Sequence, residues 1–240
     1  MKIDNQLMLA TKVNKGAEEA IIALGAGDLL TEVREVIFGT RVYANPTKTT
    51  SKDKGLAGKT GNKGLTPKIN AFLRAGLKAK GWNPYMPTRA SSTNAKIDWY
   101  KKTPDPYWEK LGGIGIGVET QFGNNFQAYG DIQRLQLAFN SFELGAGLII
   151  VPSDELSSYL ADRCANFSNT STKLRQHFDA MAGARAFHIC PIGIIGVAQD
   201  GFVASSDLPF TLESEWVTGN EPLIEDEREV ENSGDEVAKS

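Results

Sequence analysis

Apolar positions recur at helical spacing across residues 17–38, where Ile21, Ile22, Leu29, Leu30, Val33, Val36 and Ile37 form a rough stripe. Gly25 and Gly27 interrupt it, so the pattern predicts one or two helices. Residues 44–66 have no period; they are rich in Lys, Gly and Thr and predict a mobile loop. Pro67 suits the first turn of a helix running to about Lys80, with Gly81 at its end. A short strand is expected near 95–100, followed by a Pro-containing turn, TPDPYW.

The alternation is clearer beyond residue 112. Residues 114–122 read as a strand. Asn124 or Asn125 can cap a helix to about Phe142, along which Phe126, Tyr129, Ile132, Leu135 and Phe139 fall near helical spacing. Residues 146–151 (AGLIIV) form a second apolar strand, Ser153 can cap a helix through Arg163, and residues 186–197 form a further strand. Strands alternating with helices predict an α/β fold with a mixed sheet. No internal repeat is visible.

Composition adds bounds. With 240 residues and 41% hydrophobic content the chain can bury a full core. Residues 1–210 are expected to form one domain, and 211–240 an acidic, disordered tail without aromatics after Trp216. Cys164 and Cys190 are too few for a disulfide framework, which suits a reducing cytoplasm. The first 20 residues lack the apolar stretch of a signal peptide, and no apolar run reaches membrane-span length. Charge is distributed unevenly. Residues 41–110 carry 15 Lys and Arg against 4 Asp and Glu, whereas residues 211–240 carry 10 acidic groups against Arg228 and Lys239. The basic segment suits a polyanion partner, with Lys48, Lys52, Lys54, Lys59 and Lys63 as candidate phosphate contacts in the loop. A solvated surface is the plainer alternative.

Three motifs fail on inspection. Gly58-Lys59-Thr60 resembles the end of a phosphate-binding loop, but Asp53 stands where that loop needs its first Gly, so no nucleotide cofactor is expected. His177, His188, Cys164 and Cys190 lack zinc-ligand spacing, and no GxSxG nucleophile elbow occurs.

The stretch GIGVETQFGN is different. It is apolar enough to be buried, yet carries Glu119 and Gln121 two residues apart, on one face of a strand. A buried carboxylate is costly unless it is paired or binds a metal. Asp98 ends the apolar run in NAKIDWYKK, 21 residues earlier. If the two strands are neighbours, Asp98, Glu119 and the main-chain carbonyl near Thr120 make an oxygen site suited to Mg²⁺. On the residues alone, a turn aspartate and a paired core charge explain Asp98 and Glu119 equally well.

KIDWYK, IGVETQFGN, GLIIVPSDELSSYLADRCANF and the helix from Pro67 to Trp82 resemble the type II restriction endonucleases of the BamHI and BglII kind, in the PD-(D/E)xK nuclease superfamily. The resemblance spans about residues 67–168. It implies a restriction-endonuclease-like mixed central sheet flanked by helices, with Asp98 and Glu119 as Mg²⁺-binding catalytic carboxylates. Gln121 then stands where most of the superfamily has Lys; an amide takes no proton at neutral pH, so it can only orient a water. The resemblance further implies sequence-specific cleavage of palindromic double-stranded DNA by a homodimer. Base readout falls to Asn124, Asp162 and Arg163, with Asn125 beside them at the helix start, on a site containing GATC. Two places depart from the family pattern. An acidic helix residue expected just beyond Trp82 is replaced by Asn83-Pro84-Tyr85, and a basic residue expected on the helix after Gln121 falls at Gly130. Helix 125–142, with Phe126, Phe139 and Phe142, is the expected dimer surface. A DNA-repair or junction-resolving nuclease of the same superfamily is the rival enzyme, and a non-catalytic DNA-binding protein the rival without chemistry.

Overall fold

A computed structural model describes residues 2–8, 16–40, 43–44, 65–87, 96–110, 113–160, 164–184, 188–198 and 201–202. All of them lie in the compact unit Met1–Ser205. Its frame is a six-stranded mixed sheet in the order β1-β7-β6-β5-β4-β3. The strands are β1 (Lys2–Met8), β3 (Asn83–Pro87), β4 (Lys96–Lys102), β5 (Gly115–Thr120), β6 (Leu144–Pro152) and β7 (Ile192–Ala198). β5, β6 and β7 run parallel, while β1, β4 and β3 join antiparallel. A separate parallel pair joins β2 (Tyr43–Ala44) to β8 (Gly201–Phe202).

The three parallel strands are buried on both faces, which is why they read as apolar runs without alternation. One face packs against α1 (Ala17–Ala23), α2 (Gly27–Gly39), α3 (Leu65–Ala79) and α6 (Asp154–Ser157), with Leu30, Val33, Leu73 and Leu156 meeting Val118, Leu148 and Ile195. The other packs against α5 (Ala128–Asn140) and α7 (Phe167–Gly183), where Ile132, Leu135 and Leu174 meet Ile149, Ile192 and Ile194. Gly117 and Gly147 are register partners on that second face. A Cβ on Gly147 would sit 2.8 Å from Leu135 Cδ1, and one on Gly117 would sit 2.9 Å from Leu135 Cδ2. The two glycines therefore let α5 rest close on the sheet.

The break at Gly25 and Gly27 separates α1 from α2 as expected. Gly81 ends α3 in the left-handed region at φ 77°, with its amide and that of Trp82 closing onto Lys78 and Leu77. Other boundaries differ. α3 starts at Leu65, inside the segment read as loop, and the TPDPYW stretch contains the short helix α4 (Pro106–Lys110). Strand 114–122 stops at Thr120, although the Gln121 amide still donates to Ile150 O at 2.8 Å. The helix after Ser153 is only Asp154–Ser157, followed by turns to Leu160. Besides α4 and the short pair β2 and β8, three larger elements were not foreseen. β1 and β3 are edge strands, where polar residues and the prolines of β3 are tolerated. α7 buries Thr170, Ser171 and Leu174 and lays Phe167 and Phe178 partly buried against the second cluster, a face whose two hydroxyl residues blur the apolar pattern.

Candidate active site

β4 and β5 pair with Trp99 opposite Val118, so the next step of the register sets Asp98 against Glu119. The pair lies at the C-terminal end of β5, where open α/β sheets place their ligand crevices. Asp98 Oδ2 accepts two bonds from Thr120, from its amide and its hydroxyl, each at 2.9 Å. The Asp98 amide approaches Glu119 Oε2 at 3.4 Å. Thr120 was expected to offer its carbonyl; here its N–H and hydroxyl orient Asp98.

Glu119 is 1% exposed. Its Oε1 accepts from Arg134 Nε at 2.9 Å, and Arg134 Nη2 also donates to Asp131 Oδ1. Asp131 Oδ2 accepts from Gln121 Nε2 at 2.7 Å, and Gln121 Oε1 accepts from the Gly123 amide at 3.2 Å. Three acids and one guanidinium thus share a buried corner. Burial raises the Glu119 carboxyl well above its ordinary range, and the charge of Asp98 adds to this; Arg134 opposes both. Burial likewise pushes Asp131 up to about 6.

This imbalance tests the corner for a cation. A desolvated Glu119 carboxyl, whose protonation the charge of Asp98 raises further, sits with Asp98 as the kind of oxygen pair a hard divalent ion satisfies. Each keeps one oxygen clear of the strong bonds described: Asp98 Oδ1 and Glu119 Oε2. Among the described residues no group of three or more His, Cys, Asp or Glu is arranged to hold a metal. An ion here would take these two carboxylates and complete its shell with carbonyl, water or ligand oxygens, as Mg²⁺ commonly does.

Gln121 leads into a 3₁₀ turn, Asn125–Gln127, that opens α5. Asn124 is exposed and caps this turn, its Oδ1 accepting from the Phe126 amide at 3.0 Å. Asn125 is held from α7, with Lys173 Nζ donating to its main-chain oxygen and, at 2.9 Å, to its Oδ1. Cys164 forms a bridge with Asn124, and Ala165 N donates to Gly123 O at 2.8 Å, so the chain at Cys164 runs beside the turn. Asp162 and Arg163, as well as Lys59 and Lys63 with all of residues 45–64, lie outside the described residues. So does the acidic tail 211–240.

The sequence reading missed Asp131 and Arg134. The acidic residue sought beyond Trp82 is replaced by Asn83, which lies on edge strand β3 opposite Tyr100; the additional carboxylate beside Glu119 and Gln121 comes from α5 instead. Gly130 carries no basic side chain; the next basic residue on the helix, Arg134, lies one turn later and bonds Glu119 and Asp131. Spacing alone could have raised both, since Asp131 and Arg134 are three apart on the helix that follows the strand of Glu119, but such pairs are usually solvent-exposed. Along residues 125–142, the expected dimer surface, the phenylalanines differ in exposure. Phe139 packs against the second core cluster, while Phe126 and Phe142, each 78% exposed, lie at opposite ends of α5. A 13-residue helix is about 20 Å long, so the two do not form one patch.

A family model described as restriction endonuclease BglII/BglIII matches residues 15–197. The fold is similar to a crystal structure of restriction endonuclease BglII complexed with a DNA 16-mer. That comparison has a TM-score of 0.54 and 17% sequence identity, and covers 83% of this chain and 79% of that one. No curated protein matches the chain.

Proposed function

The chain belongs to the BglII/BglIII restriction endonuclease family, and on that premise we propose that it makes Mg²⁺-dependent, sequence-specific double-strand cuts in palindromic DNA, acting as a homodimer in the cytoplasm. The observation that carries the catalytic assignment is the meeting of Asp98 and Glu119 across β4 and β5. These two residues, with the Thr120 carbonyl, would hold the metal. Bound Mg²⁺ would polarise the scissile phosphate and lower the pKa of a water. The protein's own part is to place groups. Thr120 fixes the Asp98 carboxylate, Arg134 fixes one oxygen of Glu119, and Gln121 offers an amide to orient the attacking water. Gln121 takes no proton, so the proton leaves through another group.

Replacing Glu119 by Ala should abolish cleavage while leaving DNA affinity, measured without metal, close to wild type. Full cleavage by Glu119→Ala would sink the assignment.

For recognition, the proposal assigns base contacts to Asn124, Asn125, Asp162 and Arg163, and phosphate contacts to the loop lysines, Lys59 and Lys63 among them. Asn124 and Asn125 each have an oxygen already engaged, so their Nδ2 donors are the freer ends and suit purine acceptors in the major groove. A six-base palindrome around GATC is the proposed site. Digesting a plasmid of known sequence and sequencing the cut ends tests this; ends without GATC overturn it.

A further inference from the structure

Beside the two carboxylates, four side chains are joined in series. Glu119 is tied to Arg134, Arg134 to Asp131, and Asp131 to Gln121, whose far end rests on the Gly123 amide. Every link removes a specific freedom. Glu119 has two chemically equal oxygens; with Oε1 bound to Arg134, Oε2 is the one left toward Asp98. Gln121 has two unequal ends that its own rotamers do not distinguish. An ionised carboxylate accepts only, so Asp131 can receive only the NH₂ end, and the carbonyl end turns to Gly123. Asp131 accepts from Arg134 through one oxygen and from Gln121 through the other, so its own carboxylate is fixed at both ends. Arg134 bridges two acids that are almost fully buried, one on β5 and one on its own helix.

We propose that Asp131 and Arg134 are positioning residues of the active site, which set the Glu119 carboxylate and the Gln121 amide in their working orientations before metal or DNA arrives. The proposal deepens the nuclease reading and rests on its assignment of Glu119.

Two variants test it in the full chain. Arg134→Lys keeps the charge but loses the planar fork that joins two acids. Asp131→Asn keeps the shape but turns an NH₂ group toward either Gln121 or Arg134. Three readouts apply: the Gln121 side-chain amide resonances without metal or DNA, Mn²⁺ affinity by calorimetry without DNA, and kcat and KM for cleavage. Asp131→Asn should shift the Gln121 resonances. Arg134→Lys should lower Mn²⁺ affinity and kcat by about 10–100-fold, the range found when groups that orient metal ligands are changed, with KM for DNA unchanged.

Wild-type Mn²⁺ affinity and kcat in folded Arg134→Lys overturns the proposal. So does a raised KM with a flatter salt dependence and unchanged kcat, which would make Arg134 a phosphate contact. Should Asp131→Asn fail to fold, Arg134→Lys decides alone. Wild-type cleavage by Glu119→Ala would mark failure of the nuclease assignment itself. Loss of cleavage in Glu119→Ala with an unaffected Arg134→Lys overturns only the positioning.

Discussion

Asp131 shows how a single residue's charge depends on what surrounds it. Arg134 and the Gln121 amide bond it directly, Glu119 and Asp98 are acids in the same corner, and Lys173 of α7 lies within its field. Burial pushes its carboxyl from 3.8 to about 6; Arg134 and Gln121 pull it down, and Asp98 adds a smaller push upward. The folded state therefore binds a proton here more tightly than the unfolded chain does. The stabilisation tied to the neutral form is complete below about pH 4 and is lost as pH rises through about 6. In the metal-free protein, Asp131→Asn removes this titration. The melting temperature of wild type relative to Asp131→Asn should consequently fall between pH 4.5 and 7. A difference that stays constant across that window would place the Asp131 carboxyl in the ordinary range.

At the level of elements, the proposed site depends on how closely α5 lies on the sheet. Leu135 sits over Gly117 and Gly147, and the same helix carries Asp131 one turn before it and Arg134 beside it. A methyl group at residue 147 would enter the space of a fully buried leucine. Gly147→Ala should cost about 1–3 kcal/mol in denaturant unfolding, the usual range for overpacking a core. It should also reduce cleavage without touching the site, because the helix must lift with Arg134 on it. Adding Leu135→Ala should return part of the stability lost to Gly147→Ala. Strictly additive losses would mean that the helix rests elsewhere.

For the whole molecule, symmetry is the governing argument. Cutting both strands of a palindrome takes two active sites related by a two-fold axis, so the protein is expected to be a C₂ dimer. Of the exposed apolar residues along α5, Phe126 lies at the Gln121 end and Phe142 at the opposite end, with Tyr129 and Leu137 between them. Light scattering at micromolar protein without DNA should give the mass of two chains; the mass of one would count against a preformed dimer.

What could be read from the sequence was whatever repeats or clusters along the chain. The apolar runs of β5, β6 and β7 were legible because strands buried on both faces need apolar residues throughout. The two helices broken at Gly25, the cap at Asn124 and the unusual acid in an apolar strand were legible for equally local reasons. Edge strands β1 and β3 were not, since a strand with one free edge needs little apolar pattern, and the hydroxyl residues on the buried face of α7 blur its pattern. The tertiary structure alone decided which groups meet. Asp98 faces Glu119 because β4 turns back beside β5, a pairing whose register no local pattern specifies. Nothing local marks Arg134 and Asp131 as buried; two glycines on neighbouring strands let their helix settle onto the sheet, which carries both side chains into the buried corner. Hydrophobic periodicity is a local property of the chain, whereas the geometry of a charged site is set by contacts between residues far apart in it.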